Sequence, residues 1–76
     1  KEFKVYPNPI MTGQKLHIEL TDSLYHDFCL ISTTGTRYRL NPLKHADEIT
    51  LPYVPAGVYI LYDQKNKLHQ KIVVTK

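Results

Sequence analysis

The stretch Lys15-Leu16-His17-Ile18-Glu19-Leu20-Thr21 decides the fold, because apolar and polar side chains alternate along it. Its three apolar residues, Leu16, Ile18 and Leu20, fall on one side of an extended chain, and the polar residues between them fall on the other. No part of the chain repeats apolar residues at the spacing of an amphipathic helix over a helical length. The stretch therefore predicts a β-strand with one buried face.

The same alternation recurs outward from this stretch in segments separated by turn-forming residues. Pro7-Asn8-Pro9 ends the first segment, because proline cannot donate to a strand ladder. Gly35 supplies the positive φ of a hairpin, and Asn66 is predicted as the left-handed residue of the last one. The solid apolar run at 58–61 predicts a strand covered on both faces or with its tyrosine at the rim. Strands are predicted near residues 2–6, 15–21, 26–32, 37–41, 47–51, 57–62 and 69–75.

About seven short strands at this spacing predict an all-β fold, a small immunoglobulin-like antiparallel β-sandwich. Two sheets are needed, since a lone sheet would leave one apolar face in water. Seventy-six residues form one domain, 1–76. Because the chain opens with Lys1 and not Met, it is expected to be a piece of a longer protein.

Composition excludes several classes of function. The net charge is +3, but the ten basic residues are spread along the chain, which predicts a solvated surface and no nucleic-acid partner. Cys29 is the single cysteine, so an intramolecular disulfide is impossible. The longest apolar run is much shorter than the roughly 20 residues that span a bilayer.

Catalytic and metal-binding patterns are missing from the sequence. The histidines show no metal-ligand spacing with one another or with Cys29, and they are expected on the surface or in loops. Asp47 and Glu48 are neighbours on a strand, so their side chains point to opposite faces. No serine lies in a nucleophile-elbow motif, and the three glycines are too far apart for a phosphate-binding loop. We therefore expect no enzyme, no metal and no cofactor.

Three segments, in order along the chain, carry a resemblance to a known family. They are Val5-Tyr6-Pro7-Asn8-Pro9, the block Pro55-Ala56-Gly57-Val58-Tyr59, and the end Lys71-Ile72-Val73-Val74-Thr75-Lys76. Together they resemble the "YPNP" opening, the "P-x-G-x-Y" block and the lysine-flanked finish of type IX secretion C-terminal sorting domains. The sequence departs from the family at Ser32, where an aspartate or asparagine usually precedes the turn glycine.

The resemblance implies a function in protein export. Such a domain directs an upstream cargo domain from the periplasm through the outer-membrane type IX translocon, with an outer-membrane shuttle protein as partner. A sortase-like peptidase usually then removes the domain, and the cargo stays at the cell surface or is secreted. The resemblance does not imply which cargo is attached, or whether the domain is cleaved or retained.

The resemblance also implies which residues the translocon recognises. They are Lys71, Ile72, Val73, Val74, Thr75, Lys76, Pro55, Gly57 and Tyr59. The two lysines are expected to be exposed, because burying a lysine is costly. An edge strand with open backbone groups would suit docking by strand addition.

An alternative function is an accessory binding module, such as a carbohydrate-binding or fibronectin-like sandwich attached to a secreted enzyme. That function calls for a line of exposed aromatic side chains on one face. Five tyrosines could supply it, although their spacing does not require a stripe: Tyr25, Tyr38, Tyr53, Tyr59 and Tyr62.

Overall fold

The computed structural model describes residues 4–19, 27–40 and 48–76. These residues form two β-sheets and contain no helix, so the predicted all-β sandwich is confirmed. The strands are β1 (Lys4–Tyr6), β2 (Ile10–Met11), β3 (Lys15–Glu19), β4 (Phe28–Ser32), β5 (Arg37–Arg39), β6 (Glu48–Thr50), β7 (Gly57–Asp63) and β8 (Leu68–Thr75).

The smaller sheet has the order β1-β3-β6 and is antiparallel throughout. The alternating stretch that predicted the fold is its central strand. Leu16 and Ile18 are buried there, and His17 lies on the outer side, stacked on Tyr6 with ring centroids 5.2 Å apart. The predicted alternation of β3 is therefore correct over Lys15–Glu19.

The larger sheet has the order β2-β8-β7-β4-β5. Four of these strands form an antiparallel array, whereas β2 pairs with β8 in parallel, with Ile10 opposite Val74. Strands β7 and β8 form the longest pairing, from Gly57 opposite Val74 to Asp63 opposite Leu68. This hairpin lies at the centre of the larger sheet, because β2 pairs with its β8 edge and β4 pairs with its β7 edge.

The core lies between the inner faces of the two sheets. Its completely buried members include Leu16, Phe28, Leu30, Leu61 and Ile72, which come from both sheets. Each such side chain contributes roughly 1.5–3 kcal/mol through burial. Because a chain of this size buries only about 60% of its surface, most of its stability depends on this single layer.

The turn between β2 and β3 ties the larger sheet to the segment before β7. Thr12 Oγ1 donates to the Pro52 carbonyl at 3.2 Å and accepts the Val54 N–H at 2.8 Å. Gly13 has φ +79°, and a Cβ at this position would lie 2.6 Å from the Tyr53 ring. Glycine thus serves both the turn conformation and the approach of the ring.

The described residues form eight strands, against about seven predicted, because Ile10–Met11 forms a strand too short to show a period in the sequence. Two local expectations were wrong. The run at 58–61 is not covered on both faces: Tyr59 is buried, but Val58 is 41% exposed. The left-handed residue of the last hairpin is Lys67, with φ 61°, and not Asn66.

The predicted strand ends near residues 2–3, 20–21, 26, 41 and 47 lie outside the described residues. No helix long and apolar enough to cross a membrane occurs within 4–19, 27–40 and 48–76.

Candidate functional site

The three motif segments meet at the C-terminal half of β8. The block that begins at Pro55 leads into β7, which pairs with β8 along one edge. The segment at 7–11 reaches the other edge through a side chain and through β2. A segment that lies more than 60 residues before β8 in sequence therefore flanks one edge of this strand, and β7 flanks the other; sequence reasoning did not predict the first of these contacts.

Asn8 binds β8 through its side chain as a neighbouring strand would through its backbone. Its Nδ2 donates to the Lys71 carbonyl at 3.1 Å, and its Oδ1 accepts the Val73 N–H at 2.9 Å. Just beyond, β2 pairs with residues 74–75, and the Thr12 N–H donates to the Thr75 carbonyl at 2.9 Å. Asn8 thus bridges β8 at the point where the prolines interrupt ordinary pairing.

On the opposite edge of β8, the Pro55–Tyr59 block is closed by its own hydrogen bond. The Tyr59 hydroxyl donates to the Pro55 carbonyl at 2.6 Å. Tyr59 is 4% exposed, and burial, with a smaller contribution from Tyr38, raises the pKa of its phenol. The phenol is therefore a neutral hydrogen-bond donor that holds the loop before β7 against the core.

The predicted recognition residues divide into buried and accessible groups. The side chains of Ile72, Val74 and Tyr59 are in the core, where they hold the sandwich together. The exposed members are Lys71, Thr75, Lys76, Pro55 and Gly57, and Val73 is half-buried. The two lysines are exposed as predicted. We call this exposed set, with Val73, the C-terminal surface.

The expectation of an open edge is only partly correct for β8. Residues 71–75 have Asn8, β2 and Thr12 on the edge away from β7. Residues 68–70 are paired only with β7 among the described residues. Strand addition along the C-terminal half would first require displacement of the segment at 8–12.

A depression of about 350 Å³ adjoins the C-terminal surface at Pro55 and Gly57. Its other wall is the β4–β5 hairpin, where Ser32 Oγ lies 2.9 Å from Thr34 Oγ1 and accepts the Thr36 N–H at 3.0 Å. The Ser32 side chain therefore holds this turn. The depression is lined mainly by hydroxyl and small side chains, which suits polar contacts.

Asp63 is a structural residue that sequence reasoning missed. It is fully buried, and its Oδ1 accepts the N–H groups of Asp27 and Lys65, each at 3.1 Å. Its Oδ2 accepts from Asn66 Nδ2 at 2.8 Å. The signal was an aspartate at the start of a polar hairpin tip, where its side chain can bind backbone N–H groups.

The titratable side chains within the described ranges include a buried thiol and two histidines. Cys29 is 3% exposed, and burial raises the pKa of its thiol, although Arg37 opposes this effect, so the thiol stays protonated at neutral pH. His17 lies 3.5 Å from Glu48 on the outside of the smaller sheet, and His69 is exposed. Within residues 4–19, 27–40 and 48–76, no three His, Cys, Asp or Glu side chains cluster as metal ligands. His26, His45 and Asp47 lie outside these ranges.

The tyrosines that the structure describes do not form the aromatic line that a carbohydrate-binding module calls for. Tyr38 and Tyr59 contact each other edge to face on the inner side of the larger sheet, with ring centroids 6.2 Å apart. Tyr62 lies on the outer side, and Tyr53 is 87% exposed in a loop. Tyr25 lies outside the described residues.

Comparison of the chain with models of known protein families and with curated proteins gave no match.

Proposed function

We propose that this chain is a sorting domain for type IX secretion, which carries an attached cargo from the periplasm across the outer membrane. The observation that supports the proposal is the meeting of three motif segments at one strand. Strand pairing explains why the segments meet, and a shared binding role would explain why exposed lysines and an exposed glycine lie around the same strand.

The C-terminal surface is the part of the domain that we assign to the translocon or its shuttle protein. Lys71 and Lys76 supply positive charge, and the block around Gly57 supplies an accessible backbone beside them. Ile72 and Val74 act indirectly, because their burial fixes the strand that carries the lysines. The domain itself performs no chemistry in this proposal; a sortase-like peptidase supplies the cleavage.

A reporter fusion tests the proposal. Residues 1–76 are joined to the C-terminus of a periplasm-directed reporter in a cell that has a type IX translocon. We expect the reporter at the cell surface, and we expect it in the periplasm when a translocon gene is deleted. Surface delivery that does not depend on the translocon contradicts the proposal, and so does retention of the reporter in the competent cell.

A charge reversal separates recognition from folding. The double variant Lys71→Glu/Lys76→Glu changes exposed side chains, so its stability should stay within about 0.5 kcal/mol per site while export is lost. The matched control is Lys65→Glu/Lys67→Glu, at the opposite end of the β7–β8 hairpin, which changes the net charge equally. Normal export of a folded Lys71→Glu/Lys76→Glu domain would exclude a role for these lysines.

A further inference from the structure

The outer face of the larger sheet is the second surface of interest. The strand register sets its side chains in rows: Lys71, Ile60, Ile31 and Arg37 form one row, and His69, Tyr62, Cys29 and Arg39 form the next. Val58 and Val73 lie opposite each other beyond the first row. We call these ten residues the outer face.

The centre of the outer face is apolar although it faces solvent. Val58 is 41% exposed, and Ile31, Ile60, Tyr62 and Val73 are half-buried. The outside of the smaller sheet is different, because its rows carry polar and charged side chains. A partly exposed apolar centre with polar residues on two sides is a feature of interaction sites.

Both margins of the outer face are basic. Arg37 and Arg39 lie along one side, and Lys71 and His69 lie along the other. None of the four forms an ion pair with a described residue, whereas Glu48 on the smaller sheet lies within 4 Å of Lys15 and His17. None of these ten residues carries a carboxylate. Asp27, just before β4, lies near enough to Cys29 to act on its thiol.

The outer face also contains a depression of about 250 Å³ between the two arginines. It is lined by Cys29, Arg37, Arg39 and Gln64. Guanidinium groups bind carboxylates through paired N–H donors, and Arg is the favoured partner where such planar recognition is needed. The depression is therefore suited to receive an acidic side chain next to the apolar centre.

These features select one kind of occupant. A second copy of the face is unfavourable, because the basic margins of the two copies would repel. A lipid surface fits poorly, because amphipathic elements that lie in membranes bury their apolar side by about 5–10 Å, whereas Val58 is the one exposed apolar side chain of this face and the others are half-buried or buried. We propose that the outer face docks an acidic protein surface of the export machinery. A carboxylate of that surface would occupy the depression between Arg37 and Arg39, an inference that rests on the proposed function.

Site-specific photo-crosslinking tests this proposal during export of the reporter fusion. The photo-reactive p-benzoylphenylalanine replaces Tyr62 on the outer face, or the exposed Thr50 on the smaller sheet as a control. We expect Tyr62→p-benzoylphenylalanine to give at least tenfold more crosslink to a translocon protein than the control. The crosslinked segment, identified by mass spectrometry, should be rich in Asp and Glu.

Charge variants in the same assay decide whether the arginines are responsible. Arg37→Glu/Arg39→Glu should reduce the Tyr62 crosslink at least tenfold, whereas Lys65→Glu/Lys67→Glu should not. If the Glu pair lowers the melting temperature, Arg37→Gln/Arg39→Gln decides, with a reduction of at least threefold expected.

The outcomes separate the two proposals. Export of the unmodified reporter with equal crosslinking from Tyr62 and Thr50 overturns the docking proposal alone. Crosslinks to lipid or to another copy of the domain also overturn it. An unmodified reporter that never reaches the surface overturns the proposed function, and the docking proposal with it.

Discussion

Replacement of Asp63 should destabilise the domain more than any exposed charge does. The carboxylate is fully buried and accepts backbone N–H groups from Asp27 and Lys65 as well as the Asn66 amide. Hydrogen bonds to a charged group are worth about 1.5–3 kcal/mol, and a buried donor left without its acceptor adds a penalty. Because such bonds are not additive, we expect Asp63→Ala to cost about 3–4 kcal/mol. A domain of this size has only about 4–11 kcal/mol in total.

The assay is urea unfolding at neutral pH, with thermal unfolding alongside it. At about 4–8 °C per kcal/mol, Asp63→Ala should lower the melting temperature by about 12 °C or more. Asp63→Asn keeps Oδ1 but places an N–H group opposite Asn66, so its loss should be intermediate. Glu19→Ala, which removes an exposed carboxylate from β3, is the control and should stay within about 0.5 kcal/mol. If Asp63→Ala costs no more than Glu19→Ala, the reasoning about the buried carboxylate is refuted.

The other predictions concern the Asn8 hydrogen bonds to β8, the turn at Gly13, the stability at alkaline pH and bound metal. Asn8→Ala should cost about 1–2 kcal/mol, because two hydrogen bonds to β8 are lost. Amide hydrogen exchange in β8 should accelerate, and unchanged exchange would show that these bonds do not stabilise the strand. Gly13→Ala should cost about 1–2 kcal/mol through its positive φ and a further amount through contact with the Tyr53 ring. Tyr53→Ala in the same chain should restore only the second part, and full recovery would mean that the turn tolerates alanine. Burial raises the pKa of Cys29 and of Tyr59, so the unfolded chain releases these protons at lower pH than the folded domain does. The free energy of unfolding should therefore fall above about pH 8.5, the ordinary pKa of a thiol. Cys29→Ala should remove the first part of that fall, and an identical alkaline profile would contradict the assignment to the thiol. A chelator should leave the melting temperature unchanged, whereas a drop of several degrees would reveal a structural metal.

Several features of this protein follow from the sequence by itself. Strand residues alternate between faces at a period of two, so Leu16 and Ile18 could be assigned to the core before any coordinates. Prolines and glycines located the turns, because their backbone limits do not depend on the rest of the fold. A lysine is costly to bury, which was enough to expect Lys71 and Lys76 on the surface.

Only the tertiary structure decided which segments meet. Asn8 contacts β8 across more than 60 residues, and β2 consists of two residues whose pairing depends on the position of β8. The sequence places Asp63 in a polar segment, and only the fold buries its carboxylate and brings the Asp27 N–H to it. The outer face exists because four strands align their outward side chains in one register. These contacts are long-range, and local sequence specifies the direction of a side chain but not its neighbour across the sheet.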